Sequence, residues 1–405
     1  MLKLYTYMAK IITDAKKIEE LLTRGVEEVI DAENLKKKLM SGKQLRIKLG
    51  IDPTSPNIHL GRSIPLLKLR DFQELGHKVV FIAGDFTGII GDTSDKDSER
   101  PMLTDKIIKE NLKNYKKQVG KIIDLKKCEF HQNSKWLKKL GYKEVGEHAN
   151  IFSINGFISR ENIAKRLKEG KRVSLREVLY PLMQGYDSVA VKADVELGGT
   201  DQKFNLLAGR DMQKEVGQNP QDVVMTKIIN GLDGRKMSSS WGNTINFLDD
   251  ANNMFGKIMS MTDDLIISYF TLLTRVPLDM VAEHEKSLSL GFNPKDIKMK
   301  LAFEITKMYT SQKEAEKAWE NWENTFSKKE IPEDIKEISV KSGTKLGEAL
   351  VGNKLLPSNS ELARRISGGA IKDLETEEVI KENIEIKKDT IIKFGKKDFV
   401  RIVVK

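Results

Sequence analysis

Apolar and polar positions along the chain follow two periods. Leu21, Leu22, Val26, Val29 and Ile30 recur at helical spacing, so Ile18 to Leu39 is predicted to be one helix. Leu45-Arg46-Ile47-Lys48-Leu49-Gly50-Ile51 alternates with period two and predicts a strand, which Asp52-Pro53-Thr54-Ser55-Pro56-Asn57 breaks. Leu60, Ile64, Leu66, Leu67 and Leu69 predict a helix from near Ile58 to Leu75, ended by Gly76. Val79-Val80-Phe81-Ile82-Ala83 is a short apolar run between glycines and predicts a buried strand. Strand, helix, strand is the unit of a parallel sheet with helical crossovers.

Residues 104–125 are predicted helical and basic, and α/β alternation continues to about Leu248. From Asp249 to Phe326 long helical patterns dominate, as in Ile297 to Met308 and Ser311 to Trp322, which predicts a separate helical domain. A polar stretch with Pro332 follows and reads as a linker. Beyond it, Thr344 to Leu350 and Ser360 to Ile371 predict two short helices ending in a glycine turn. Strand-like runs at 384–386, 391–394 and 399–404 close the chain. The predicted organisation is therefore an α/β domain over 1–248, a helical domain over 249–328, a linker over 329–342 and a small α+β module over 343–405.

Composition narrows the class. The 405 residues are 39% hydrophobic and 32% charged, which fits a folded multidomain chain rather than a disordered one. No apolar run approaches the roughly 18–20 residues of a membrane helix, and Met1 to Lys17 is basic without a long apolar core, so no signal peptide is expected. The lone cysteine, Cys128, excludes a disulfide framework and a cysteine-based zinc cluster, and is expected to be an inert thiol. The net charge of +10 points to a polyanionic partner. Its distribution says more: residues 101–150 hold 12 basic against 6 acidic groups, whereas residues 331–405 hold 15 against 13.

Five polar segments carry candidate chemistry. After the first strand comes His59-Leu60-Gly61-Arg62, at a predicted helix start, where backbone N–H groups favour phosphates. Thr54 and His59 can donate to phosphate oxygens there, and Gly61 leaves room for a flat ring against the backbone. Gly231 to Ser240 ends in Lys236-Met237-Ser238-Ser239-Ser240, a cation and hydroxyls on a glycine-rich loop suited to close on a triphosphate. Tyr180, Gln184 and Asp187 fall on one helix face amid apolar neighbours, and Glu196-Leu197-Gly198-Gly199-Thr200-Asp201-Gln202 brings polar groups behind paired glycines. Asp92 is placed at the carboxyl end of the second strand, where α/β sheets bind ligands, and Lys96 and Arg100 follow it among Asp95, Asp97 and Glu99.

The first two segments resemble the HIGH and KMSKS motifs of class I aminoacyl-tRNA synthetases, about 175 residues apart as in the tyrosyl-tRNA synthetase family. Arg62 stands where the first motif has a second histidine, and Ser239 where the second has its second lysine. The resemblance implies a Rossmann-like parallel sheet for catalysis, then an all-helical domain, then a small RNA-binding domain similar to the S-four-like module. It implies activation of L-tyrosine by ATP, with Mg²⁺ as part of the ATP complex and no protein-held metal, and transfer of tyrosine to the 3′ end of tRNA(Tyr). It further implies a cytoplasmic homodimer with its interface near residues 110–170 and no membrane partner.

Site residues follow from the same resemblance. Thr54, His59, Lys96, Arg100 and Lys236 would serve catalysis by neutralising phosphate charge. Gly50, Asp52, Gly61, Arg62, Gly199, Asp201, Lys236, Met237, Ser238, Ser239 and Ser240 would bind ATP. Asp187 would accept the tyrosine phenol, Tyr180, Gln184 and Asp92 would hold its α-ammonium, and Gln202 would lie near its backbone. Lys48 stands where the family often has a tyrosine as second phenol partner. In the last module, Lys354, Arg364, Arg365, Lys396 and Lys397 would form a phosphate-binding face. Two rival readings are a tryptophanyl or other nucleotidyl-transferring enzyme with the same H-x-G loop, and a non-catalytic RNA-binding protein on the same scaffold.

Overall fold

The computed structural model describes residues 10–93, 101–238, 241–326, 335–376, 378–395 and 398–405. Two compact units divide the chain within the helix Gln312–Phe326, after Trp319.

The predicted helix over 18–39 is interrupted. Helix α1 (Ala15–Thr23) is followed by strand β1 (Val26–Ile30) and helix α2 (Ala32–Met40). Gly25 at φ +66° and Asp31 at φ +64° bracket the strand in left-handed conformations that no helix accommodates. The two valines and the isoleucine of Val26–Ile30 fit a pleated strand as well as a helix face. The next elements agree with the sequence: β2 (Arg46–Ile51), α3 (Ser63–Glu74) and β3 (Lys78–Ala83). A short 3₁₀ turn, Leu60–Arg62, precedes α3, so the regular helix starts five residues later than Ile58.

Strands β4 (Cys128–Gln132), β5 (Val195–Gly199) and β6 (Asp222–Thr226) complete a sheet ordered β1-β6-β5-β2-β3-β4. Every pairing is parallel except β1 with β6. Leu49, Phe81, Leu197 and Val224 are buried along its centre, as crossover helices on both faces require. The chain runs outward from β2 through β3 to β4 and returns to β5 on β2's other side. β2 and β5 therefore flank the topological switch point, and ligands of open α/β sheets bind beyond the carboxyl ends of such strands. Asp52 to Thr54 and Thr200 to Gln202 lie just past those ends.

The helical stretch after Asp249 belongs to the same compact unit as the sheet up to Trp319. Arg24 donates to the carbonyls of Thr271 (3.0 Å), Phe270 (3.3 Å) and Thr274 (3.0 Å), capping the end of the helix Ile266–Leu273. Arg275 makes a two-pronged pair with Asp71 on α3 at 2.7 and 2.9 Å. No described helix is long and apolar enough to cross a membrane.

The second unit contains more strand than the sequence indicated. β7 (Lys336–Val340) lies in the stretch expected to be a linker and pairs in parallel with the last strand. Its alternating Ile338 and Val340 supply the apolar face that a strand needs. β8 (Thr344–Lys345), β9 (Lys372–Asp373), β10 (Glu385–Ile386), β11 (Thr390–Lys393) and β12 (Phe399–Val404) follow, giving a sheet β7-β12-β11-β9 and a separate pair β8-β10. Helices Leu346–Gly352 and Asn359–Ser367 pack Leu346, Leu350 and Leu362 against Ile392, Val400 and Ile402.

Candidate active site

Six chain segments converge at the carboxyl ends of β2, β3, β4 and β5. Asp52 leaves β2 and its carboxylate accepts from Thr87 Oγ1 (2.7 Å) and from Tyr180 Oη (2.8 Å). Burial pushes the Asp52 carboxyl up to about 6, against those two hydrogen bonds, with Asp92 nearby adding to the rise. Arg62 donates to the Asp52 carbonyl at 3.1 Å and reaches Thr54 Oγ1 at 3.4 Å, so it braces the loop before its own turn.

His59 is buried, and its Nδ1 has no hydrogen-bond partner. Burial, helped by Arg62 and Lys236, depresses the ring to about 3, so it is a neutral imidazole at physiological pH. A Cβ on Gly61 would lie 3.0 Å from that ring and 3.4 Å from Met237 Sδ, so any larger residue there would require the ring to give way.

The two loops that resemble paired motifs are in contact. The Gly61 N–H points at Met237 Sδ (3.1 Å), Leu60 N donates to Ile245 O (2.9 Å) and Phe247 N donates to Ile58 O (2.9 Å). Lys236 Nζ lies 3.1 Å from Asp201 Oδ2, which links the lysine loop to the end of β5. Asn243 braces the loop from behind, accepting from Ser238 N (2.9 Å) and donating to Asp233 Oδ1 (2.7 Å). Ser239 and Ser240 lie outside the described residues, as do Lys96 and Arg100.

The helix Leu175–Val191 presents Tyr180, Gln184 and Asp187 on one face, as their spacing predicted. Asp187, 4% exposed, accepts from Trp136 Nε1 at 2.7 Å and Asn133 Nδ2 at 3.1 Å. Burial raises its carboxyl to about 7, and Lys48 and the two N–H donors oppose the rise. Asn133 also donates to Thr87 Oγ1 (2.9 Å), so one chain of hydrogen bonds runs from Asp187 to Asp52. At the other end of the face, Asp92 accepts from Gln202 Nε2 at 2.7 Å. Next to it, Thr93 donates to Glu177, whose partner Arg166 is fully buried with it at 2.6 Å.

Asn133, Trp136 and Asn243 hydrogen-bond to these groups although no motif along the chain marks them. Asn133 and Trp136 follow β4 directly, and that strand, Cys-Glu-Phe-His-Gln, carries too much polarity to announce itself. The usable signal was positional: polar residues just past a parallel strand face the ligand edge of the sheet. Cys128 opens β4 with its thiol raised to about 11 by burial, the behaviour of an unreactive group.

In the second unit the predicted basic face is partly neutralised. Glu361 pairs with Arg364 (2.8 Å) and with Arg365 (2.8 Å), and Asp398 pairs with Arg365 (3.1 Å). Lys354 is exposed, and Lys396 and Lys397 lie outside the described residues. Among the described residues, no group of three His, Cys, Asp or Glu side chains is arranged to hold a metal ion.

Comparison with known proteins places this geometry in a family. Residues 40–327 match the family model described as tRNA synthetases class I (W and Y). The chain is 43% identical over 386 residues to a tyrosine–tRNA ligase of Thermotoga maritima, covering 95% of this chain and 96% of that protein. It is 44% identical over 385 residues to the tyrosine–tRNA ligase 2 of Vibrio vulnificus, covering 95% and 97%. The fold matches a truncated mitochondrial tyrosyl-tRNA synthetase of Aspergillus nidulans, with TM-score 0.65 and 20% identity over 76% of this chain and 94% of that one. It also matches an Archaeoglobus fulgidus tyrosyl-tRNA synthetase solved with L-tyrosine, with TM-score 0.60 and 23% identity over 75% and 99%. With loops, switch point and pocket in this arrangement and similarity along nearly its whole length, the chain belongs to the class I tRNA synthetases, in the tyrosine–tRNA ligase family.

Proposed function

We propose that this protein activates L-tyrosine with ATP, releasing pyrophosphate, and passes tyrosine from the bound adenylate to the 3′ end of tRNA(Tyr). The observation that carries the reading is Asp187, a buried carboxylate held by Trp136 and Asn133 at the base of the helix face that bears Tyr180 and Gln184. A carboxylate there accepts the phenol hydrogen, and phenylalanine would leave it buried without that partner. Tyr180, Gln184 and Asp92 receive the α-ammonium, with Gln202 beside Asp92.

The substrate carboxylate attacks the α-phosphate, so no side chain becomes covalent and the protein works by placement and by charge. ATP enters as its Mg²⁺ complex. Its adenosine lies along Gly50, Gly61 and Gly199, with Asp201 toward the ribose. Thr54, the neutral His59 and Lys236 stabilise the phosphates with Met237 and Ser238, and Arg62 holds Asp52 and Thr54 in place. Lys96, Arg100, Ser239 and Ser240 complete the phosphate set.

The tRNA is expected to lie on the basic 101–150 segment, where Lys113, Lys116 and Lys117 are exposed around the short helix Tyr115–Val119. In the second unit, Lys354, Arg364, Arg365, Lys396 and Lys397 add phosphate contacts of little sequence selectivity. Charging of tRNA with labelled tyrosine tests the reading. Tyrosine and not tryptophan should be incorporated. Reversing Lys113, Lys116 and Lys117 to glutamate should lower kcat/KM for tRNA by at least about tenfold; an unchanged value would contradict the placement.

A homodimer fits the apolar side chains left in solvent between residues 142 and 175. Tyr142 is 99% exposed and Leu175 69% exposed, and Ile154, Ile158 and Leu167 join them. Sedimentation should show a dimer for the natural chain and a monomer for Leu167→Asp with Leu175→Asp. A dimer that survives both changes would place the interface elsewhere.

A further inference from the structure

We propose that Glu196 and Lys48 form a buried positioning pair that fixes which end of the Gln184 amide meets the substrate ammonium. The proposal rests on the placement of that ammonium at Gln184.

Lys48 projects from β2 and Glu196 from β5, the two strands that flank the switch point. Each is 1% exposed, and Lys48 Nζ lies 2.9 Å from Glu196 Oε1. Nζ also donates to Ser188 Oγ at 2.7 Å and to the Gln184 carbonyl at 2.9 Å. An ammonium has three hydrogens, so these three partners use all of them. Lys48 therefore does not serve as a phenol ligand, although it occupies the strand position where the family often has a tyrosine as second phenol partner.

Glu196 gathers donors on both oxygens. Ser188 Oγ (2.9 Å) and Gln221 Nε2 (2.5 Å) donate to Oε2, and Gln184 Nε2 (3.1 Å) donates to Oε1. An ionised carboxylate only accepts, so the group that Gln184 turns toward it must be the amide NH₂. The planar amide then has its carbonyl oxygen at the opposite end. That is the end a substrate ammonium needs, since an ammonium only donates. With a glutamine at 196, Lys48 on one side and Gln221 on the other would compete for its single oxygen, and wherever the oxygen sits toward Gln221 an NH₂ meets Gln184 and turns its NH₂ toward the ammonium. Lys48 supplies the charge that lets an ionised Glu196 stay buried; alone, that carboxylate would be stranded. A charge pair beneath the pocket thus selects the ammonium end of the substrate.

The test uses the full-length chain and two competitive inhibitors of tyrosine-dependent pyrophosphate exchange. Tyrosinol keeps the ammonium and the phenol; 3-(4-hydroxyphenyl)propionate keeps the phenol and lacks the ammonium. Glu196→Gln should weaken tyrosinol by about tenfold or more and leave the propionate within about twofold, with KM for tyrosine rising and kcat little changed. Lys48→Met combined with Glu196→Met removes both charges and should show the same selective loss, which keeps the test open if Glu196→Gln folds poorly. Gln184→Leu sets the reference for complete loss of the Gln184 contact to the ammonium. If Gln184→Leu loses the preference for tyrosinol while both Glu196 variants keep it, the proposal is overturned and the ammonium placement stands. If Gln184→Leu also keeps the preference, the placement itself is wrong and the proposal falls with it.

Discussion

Replacing Asp187 by asparagine is expected to lower kcat/KM for tyrosine activation by roughly 10²–10³-fold, about 3–4 kcal/mol. The reason lies in counting acceptors. Trp136 and Asn133 already donate to Asp187 at 2.7 and 3.1 Å, and the phenol brings a third donor. A carboxylate has lone pairs for all three, whereas an amide has a single oxygen and turns an NH₂ toward at least one donor. One N–H or O–H is then buried without a partner. The same substitution should leave KM for ATP near its original value, because Asp187 sits at the far end of the helix face from the nucleotide loops. Steady-state exchange kinetics read both quantities.

The pH profile gives an independent check. Asp187 is raised to about 7 and must be ionised to accept the phenol hydrogen. Tyrosine affinity should therefore fall as pH drops below about 7, approaching tenfold per unit. Asp52, raised to about 6, adds a second step further into acid. In Asp187→Asn the step near 7 should vanish and only the lower one remain. A profile flat from pH 8 to 6 in the natural chain would contradict the assignment of Asp187 to the phenol.

Lys236→Ala is expected to slow adenylate formation by about 10²-fold or more while KM for tyrosine stays put. Lys236 pairs with Asp201 at 3.1 Å and is partly exposed. The ion pair holds the cation beside the nucleotide edge of the sheet, from which it can shift to a phosphate at little reorganisation cost. Burial holds His59 neutral, at about 3, so on this proposal it would offer a hydrogen bond there rather than a charge. Rapid-quench measurement of a single turnover isolates the step. An unchanged rate would shift the charge-neutralising role onto other groups.

Much of this was legible in the chain, for identifiable reasons. β2, α3 and β3 carry strong periodicity and are bounded by proline or glycine, so local patterning and final structure coincide. The helix face of Tyr180, Gln184 and Asp187 follows from spacing alone. β1 was hidden because five residues of mixed polarity fit either period, and only Gly25 and Asp31 mark its ends. β7 was hidden because its partner β12 lies some 60 residues away, beyond any local signal. Trp136 and Asn133 escaped for a similar reason: their value comes from β4's place beside β3, a tertiary fact. The Lys48–Glu196 pair depends on β2 adjoining β5, which no pattern along the chain states.

Amino-acid-dependent exchange of labelled pyrophosphate into ATP tests the central claim most directly. Each of the twenty amino acids is supplied in turn, with no tRNA present. The account predicts rapid exchange with tyrosine and none above background with phenylalanine or tryptophan. Exchange supported by another amino acid in preference to tyrosine, or by none at all, would contradict it.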